Sequence, residues 1–305
     1  MEILDVEVEK LVHLTMAKNT WKTYKTALES LAKFSKEYDL NLSWPIQIDV
    51  LTRFIAYLSY SGLTSSTINT YLSGISHKHK LLGVTDTTCT LIVSKMLEGV
   101  RRKSPKLSDI RAPVTLEILH KIIRSLPFVC SSHYESCLFA SAFSLAFFTL
   151  LRIGELTADR STDIGAHTIF INDLSLKFSN CKYELHLKIC SSKADQRGIS
   201  TTLVIPQREA DLCPVSMLRA FLGIRYPVTD KPLYLHFNGS PLTRFQFISI
   251  LKKTLYFCGV KDHIRSHSFR IGGASHYSRM GASDSEIKKW GRWVSDAYTS
   301  YIRIW

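Results

Sequence analysis

From Trp21 onward, apolar side chains recur at Trp21, Tyr24, Leu28, Leu31, Phe34 and Tyr38. Steps of three and four put them on one face, so the spacing predicts an amphipathic α-helix. Pro45 interrupts the pattern, and a second run through Val50, Leu51, Phe54, Ile55 and Leu58 predicts a helix that stops near Gly62. Thr64 or Ser65 is placed to cap a third helix, whose inward face would be Ile68, Leu72, Ile75 and Leu82. A fourth helix from about Thr88 to Arg102 completes an all-helical unit over residues 1–103. Residues 104–113 are basic, contain Pro and have no apolar period, which marks a linker.

The pattern changes over residues 114–305. Helical periods over 116–126 and 134–151 give way to β-rich stretches at 167–171, 184–190 and 201–205, then to helical periods over 215–224, 244–257, 267–280 and 283–290. The expected fold class is therefore mainly α: an N-terminal four-helix unit, then a mostly helical unit with a small inserted antiparallel sheet.

Composition narrows the partners. The 305 residues are 45% hydrophobic, enough for two cores, and the formal net charge of +13 implies a broad positive field that favours nucleic acid or an anionic membrane surface. The longest uncharged apolar stretch, Cys137 to Leu151, falls short of a membrane span and predicts a buried core helix. Seven cysteines form no C-x-x-C pair, and the opening MEILDVEVEK is acidic, unlike a secretory leader. The expectation is reduced thiols in an intracellular protein, nuclear if its host is a eukaryote.

Several segments carry chemistry. On the third helix Ser66, Asn69, Thr70, Ser73, His77 and Lys80 face away from the apolar stripe, where they fit either a solvated face or a surface that reads DNA. Arg101, Arg102 and Lys103 add a basic run. In TLLRIGEL, Arg152 and Glu155 share a helix face, as an ordinary terminal ion pair also would. In LKICSSKADQRG, Lys193 sits in a turn between two strands, with Asp195 and Gly198 as turn formers; a loop-tip lysine is equally a solvated one. HSFRIGGAS sets His267 and Arg270 one helical turn apart, and GRWVSDAYTSYIR supplies Trp293 and two phenols, Tyr298 and Tyr301. His263 and His267 have metal-pair spacing but no third or fourth ligand nearby, and there is no H-E-x-x-H, so no metal or other cofactor is expected.

Taken together these segments resemble the catalytic domain of the tyrosine recombinases, the family of phage integrases, Cre-like and Xer-like resolvases and yeast flippases. Arg152 in L-R-I-G-E-L matches the first arginine box, Lys193 the β-hairpin lysine, His267 and Arg270 the H-x-x-R box, Trp293 the position held by histidine or tryptophan, and Tyr301 in Y-I-R the nucleophile. The wording S-K-x-D-Q and G-R-W-x-S-D-A-Y-x-x-Y-I-R is similar to eukaryotic mobile-element recombinases of the Crypton or DIRS type. The N-terminal helices resemble the family's SAM-like core-binding domain.

The resemblance implies DNA cleavage and rejoining through a 3′-phosphotyrosyl link on Tyr301. Arg152 and Arg270 would hold the phosphate, His267 would accept the phenolic proton, Lys193 would protonate the leaving 5′ oxygen, and Trp293 would donate its indole N–H or pack the site. It also implies double-stranded DNA as partner, clamped between two basic lobes, and a chain that is monomeric alone and assembles as a tetramer on paired sites. Two other classes remain open: a DNA-binding protein that keeps the fold without cutting, and a type IB topoisomerase.

Overall fold

The computed structural model describes residues 2–103, 110–190 and 200–303, and divides into two compact units, Met1–Ser108 and Asp109–Trp305. The first unit holds α1 (Glu2–Leu14), α2 (Lys18–Glu37), α3 (Ile48–Tyr60), α4 (Ser65–Leu81) and α5 (Leu91–Lys103). Thr64 caps α4 as its sequence suggests, its hydroxyl accepting the Thr67 N–H at 3.3 Å. Leu31, Phe34, Leu51, Phe54, Ile68, Leu72 and Ile75 interlock as the core. Close approach of α2 to α4 depends on Gly74, where a Cβ would come within 3.2 Å of Ala27 and Tyr24.

Three features of this unit depart from the sequence expectation. α1 was not foreseen; its apolar residues mingle with acids, and Leu4, Val8 and Leu11 are exposed. Leu82 is exposed, and the inward position is taken by His79, whose Nε2 accepts the Ile46 N–H at 2.9 Å. His77 does not stand clear on a polar face: its ring lies 5.4 Å from those of both Trp21 and Tyr24 on α2. The rest of that face is more open. Asn69 and Lys80 are exposed, Thr70 and Ser73 half-buried with hydroxyls donating to the carbonyls of Ser66 and Asn69. Lys80 also approaches Asp86 at 3.7 Å. Arg101, Arg102 and Lys103 form the exposed last turn of α5, with Arg102 paired to Glu98.

The second unit is built on α7 (His133–Phe148), which follows α6 (Leu116–Val129) and is buried on nearly every side. A short α8 (Ile153–Leu156) leads to a three-stranded antiparallel sheet of β1 (Leu174–Ser179), β2 (Lys182–Ile189) and β3 (Thr201–Pro206), in that order. Leu185, Leu187 and Ile189 alternate inward from β2 onto the helical core. The stretch 167–171 expected as a strand is instead irregular, and β1 begins three residues later; its face is largely solvated, which weakens the alternation signal. Then come α9 (Pro214–Leu222), α10 (Arg244–Phe257), α11 (Ser268–Arg279) and α12 (Asp284–Gly291), and a 3-10 turn over Asp296–Tyr301. Among the described residues no helix is long and apolar enough to cross a membrane.

The end of the expected linker belongs to this unit's fold. The backbone N–H groups of Ala112 and Val114 donate to the carbonyls of His263 at 3.2 Å and Ser268 at 3.0 Å. Extended chain can lie this close to α11 because Gly272 and Gly273 lack side chains. A Cβ at Gly272 would fall 1.8 Å from the Val114 carbonyl oxygen, and one at Gly273 would fall 2.2 Å from that of Phe147. The pair thus lets α11 lie against α7 and the entering chain at backbone distance.

Gly273→Ala should lower the stability of this unit by about 2 kcal/mol, a fall of roughly 4–8 °C in Tm. Gly99→Ala on α5, where a Cβ meets nothing within 4 Å, should leave stability equal or higher. Calorimetry on both variants checks the claim; an unchanged Tm for Gly273→Ala would contradict it.

Candidate active site

Arg152 does not close α7. That helix ends at Phe148, the chain reverses through Leu150 in a left-handed conformation with φ 51, and Arg152 becomes the N-cap of α8. Its backbone N–H donates to Glu155 Oε2 at 2.8 Å and its Nη1 to Glu155 Oε1 at 3.2 Å. Glu155 is 2% exposed, and its Oε2 also accepts from Arg292 Nη2 at 2.8 Å. One buried carboxylate therefore holds two guanidinium groups, Arg152 three residues before it and Arg292 137 residues after it.

Arg270 enters the same place from α11. It is 1% exposed, its Nη1 donates to the Leu150 carbonyl at 2.6 Å, and its Nη2 donates to the Gly291 carbonyl. The left-handed turn at Leu150 delivers the first of these acceptors. The Trp293 ring lies over Gly291, where any Cβ would be 1.7 Å from it, and carries the Arg270 guanidinium 4.1 Å from its centroid. Trp293 thus fixes Arg270 by cation–π stacking. Burial, then Arg152 and Arg292, pull Arg270 down to about 9, while Glu155 acts the other way; the group stays charged at neutral pH.

Tyr301 completes the group from the 3-10 turn. Its ring lies 5.1 Å from Trp293, 6.3 Å from His267 and 5.6 Å from the Arg270 guanidinium carbon. Ser275 on α11 pins the segment: its Oγ reaches the Tyr301 carbonyl at 3.2 Å and accepts the Arg303 N–H at 2.8 Å. Tyr298 points elsewhere. It is 5% exposed, packs in the cluster beneath the site with Leu150, Ala274 and Ile287, and its phenol bonds Asp284, which raises its pKa. The structure thus separates two phenols that share one stretch of sequence.

His267 retains solvent access at the N-cap of α11. Desolvation first, then the Arg111, Arg270, Arg152 and Arg244 guanidiniums, hold its pKa below the ordinary imidazole value. A neutral imidazole beside a phenol can accept a proton. Sequence reasoning missed three of the cations here. Arg111 lay in the supposed linker, Arg244 opens α10 with no motif around it, and Arg292 was overlooked beside Trp293. Lys193, with Asp195 and Gly198, lies outside the described residues; β2 and β3, which flank that segment, pair antiparallel from Ile189↔Thr201 onward. Among the described residues no three His, Cys, Asp or Glu side chains are grouped to hold a metal ion.

The site is a cationic cluster with a phenol beside it. Three guanidiniums, Arg152, Arg270 and Arg292, face one carboxylate, and a proton acceptor stands nearby. Such a cluster can bind a phosphate, stabilise charge building on its oxygens and present a nucleophile to the phosphorus.

An NMR titration should place the His267 pKa below about 6.5, the ordinary value. Arg244→Gln, which removes one repelling charge, should move it upward. A His267 that titrates at or above the ordinary value in the unsubstituted protein would contradict this electrostatic picture.

Comparison with known proteins places these features. Residues 117–303 match the phage integrase family, and residues 1–79 match the phage integrase SAM-like domain. Recombinase cre of Escherichia phage P1 is 25% identical over 305 residues, covering 94% of this chain and 84% of the phage protein. In fold, the chain is similar to a lambda integrase dimer bound to a COC′ core site, with TM-score 0.65 and 16% identity over 99% of this chain and 96% of that one. It is similar also to XerH site-specific recombinase bound to difH substrate in a pre-cleavage complex, with TM-score 0.64 and 17% identity over 93% of this chain and 75% of that one. The match across the whole catalytic unit, on a site of this geometry, shows that the chain belongs to the phage integrase family.

Proposed function

We propose that the protein is a tyrosine site-specific recombinase that cuts and rejoins double-stranded DNA through a 3′-phosphotyrosyl link on Tyr301. The observation that carries this reading is the convergence of Tyr301, His267, Arg270 and Trp293 beside the Arg152–Glu155–Arg292 group. A phosphodiester resists attack because its oxygens are anionic, so catalysis needs fixed cations where charge accumulates. Arg152 and Arg270 supply them, held in place before substrate arrives by Glu155 and by the carbonyls of Leu150 and Gly291.

The Tyr301 phenol oxygen attacks phosphorus as its proton passes to neutral His267, and the bond from phosphorus to the 5′ oxygen breaks. Lys193 protonates that oxygen. The free 5′-hydroxyl of a partner strand then attacks the phosphotyrosyl link, restoring a phosphodiester and the phenol. Bond energy is conserved in the link, so the exchange needs no external energy source.

The N-terminal unit contributes duplex binding, with Asn69, Thr70, Ser73 and Lys80 of α4 and the basic turn Arg101–Lys103 as the contacting residues, while His77 packs against Trp21 and Tyr24 behind them. The chain acts as a tetramer on paired sites and is monomeric without DNA. Its motif wording supports an origin in a eukaryotic mobile element of the Crypton or DIRS type, and with it transposition in a nucleus.

Covalent adducts captured from a random-sequence duplex library should reveal the site. On a nicked suicide duplex carrying it, Tyr301→Phe should abolish the adduct and Tyr298→Phe should leave it. Arg152→Lys should slow its formation about 100-fold, because an ammonium lacks the planar paired donors of a guanidinium. Adducts that survive in Tyr301→Phe would sink the assignment. Relaxation of a supercoiled plasmid without strand exchange between two sites would make the protein a topoisomerase instead. Reversing the charge at Lys80 should weaken duplex binding and flatten its salt dependence, read by fluorescence anisotropy; unchanged binding would remove α4 from the interface.

A further inference from the structure

We infer that Arg292, rather than Trp293, is the third donor to the scissile phosphate, a catalytic residue that no sequence box marks. The inference rests on the recombinase reading above and concerns which group beside Trp293 touches the substrate.

Arg292 sits just past α12 in a left-handed conformation with φ 54, and its side chain is 7% exposed. Its Nη2 is taken by Glu155, but its Nε and Nη1 are buried with no hydrogen-bond partner among the described residues. Of the six buried side-chain polar atoms in that condition, three belong to Arg270 and Arg292, so the deficit concentrates at this site. Buried donors without acceptors are costly and rare in folded proteins.

The fold shows what a purely structural buried arginine looks like. Arg225, 9% exposed, donates from Nε to the Leu233 carbonyl, from Nη1 to those of Tyr226 and Val228, and from Nη2 to that of Pro232. Arg292 is as deeply placed and has one acceptor. The Trp293 ring, in contrast, is already committed to the Arg270 guanidinium and to Gly291.

Charge points the same way. Both Glu155 oxygens are occupied, Oε1 by Arg152 and Oε2 by Arg292 and the Arg152 backbone. One carboxylate against three guanidiniums leaves two positive charges in excess. The pentavalent state reached when a phenolate attacks a phosphodiester carries two negative charges, and the unpartnered Nε and Nη1 of Arg292, beside the unpartnered Nε of Arg270, are buried donors left to receive them.

The experiment compares two linkages at the mapped cleavage site of a nicked suicide duplex: the ordinary phosphodiester and a methylphosphonate, in which a neutral methyl replaces one anionic oxygen. The full chain is used, and single-turnover formation of the Tyr301 adduct is measured. The expected result for Arg292→Ala is a loss of about 100-fold on the phosphodiester, with a loss at least tenfold smaller on the methylphosphonate. Trp293→Phe should leave the ratio of the two rates within threefold of the unsubstituted protein. Arg292→Lys keeps a cation toward Glu155, so it serves where Arg292→Ala does not fold, and it should shift the ratio in the same direction. A residue that merely braces Glu155 would lower both rates in parallel. Parallel loss, an unchanged rate, or a ratio moved by Trp293→Phe and not by the Arg292 variants would overturn the assignment. If the unsubstituted protein forms no Tyr301 adduct on any library duplex, the recombinase reading itself falls, and this inference with it.

Discussion

The structure turns on a buried carboxylate that is outnumbered. Glu155 binds Arg152 within its own short helix and Arg292 from the far end of the chain, while Arg270 stands beside both on carbonyl acceptors. A buried ion pair offsets the desolvation of its charges only when geometry and hydrogen bonds are satisfied, and here they are satisfied for one guanidinium and left short for the others. The folded protein keeps cationic donors out of water before any substrate arrives. That arrangement raises the cost of the empty site and lowers the cost of binding a phosphate.

The rest of the catalytic unit serves to hold that imbalance. Gly272 and Gly273 bring α11 to backbone distance from α7 and the entering chain, which sets Arg270 below the surface and His267 at its rim. Two non-glycine residues in left-handed conformations, Leu150 and Arg292, are spent at the same site, one turning a carbonyl toward Arg270 and the other aiming its own side chain inward. Ser275 ties down the segment that carries Tyr301, so the phenol stands beside the cations rather than over solvent. Partial desolvation and the surrounding arginines lower the His267 pKa, so in the proposed reaction the cations that would receive the phosphate would also favour the neutral, proton-accepting imidazole.

Much of this was legible in sequence, for physical reasons that differ by segment. α2, α3 and α4 each bury one stripe, so three-four spacing reports them, and Thr64 marked a helix start by its side-chain chemistry. Arg152, Glu155, His267, Arg270, Trp293 and Tyr301 were picked out by motif, since each weak local signal gained weight from the others. What escaped was settled by packing. The His79 burial depends on a contact with Ile46 across 33 residues, and β1 is half-solvated, so neither shows a clean period. Arg111 fell in a basic stretch whose extended path is fixed by α11, not by its own composition. Arg292 was hidden by its neighbour: Trp293 is the residue that stands out in G-R-W, while the burial and unmet donors of the arginine exist only in the fold.

The central claim is that the excess positive charge around Glu155 is a place for one phosphate, with Tyr301 poised behind it. A structure of the protein joined to a nicked duplex measures this directly. The account predicts the phosphate linked to the Tyr301 oxygen, with donors of Arg152 and Arg270 within about 3 Å of its free oxygens. A duplex whose phosphate is attached elsewhere, with those guanidiniums still turned to Glu155 and the backbone carbonyls and none touching DNA, would contradict it.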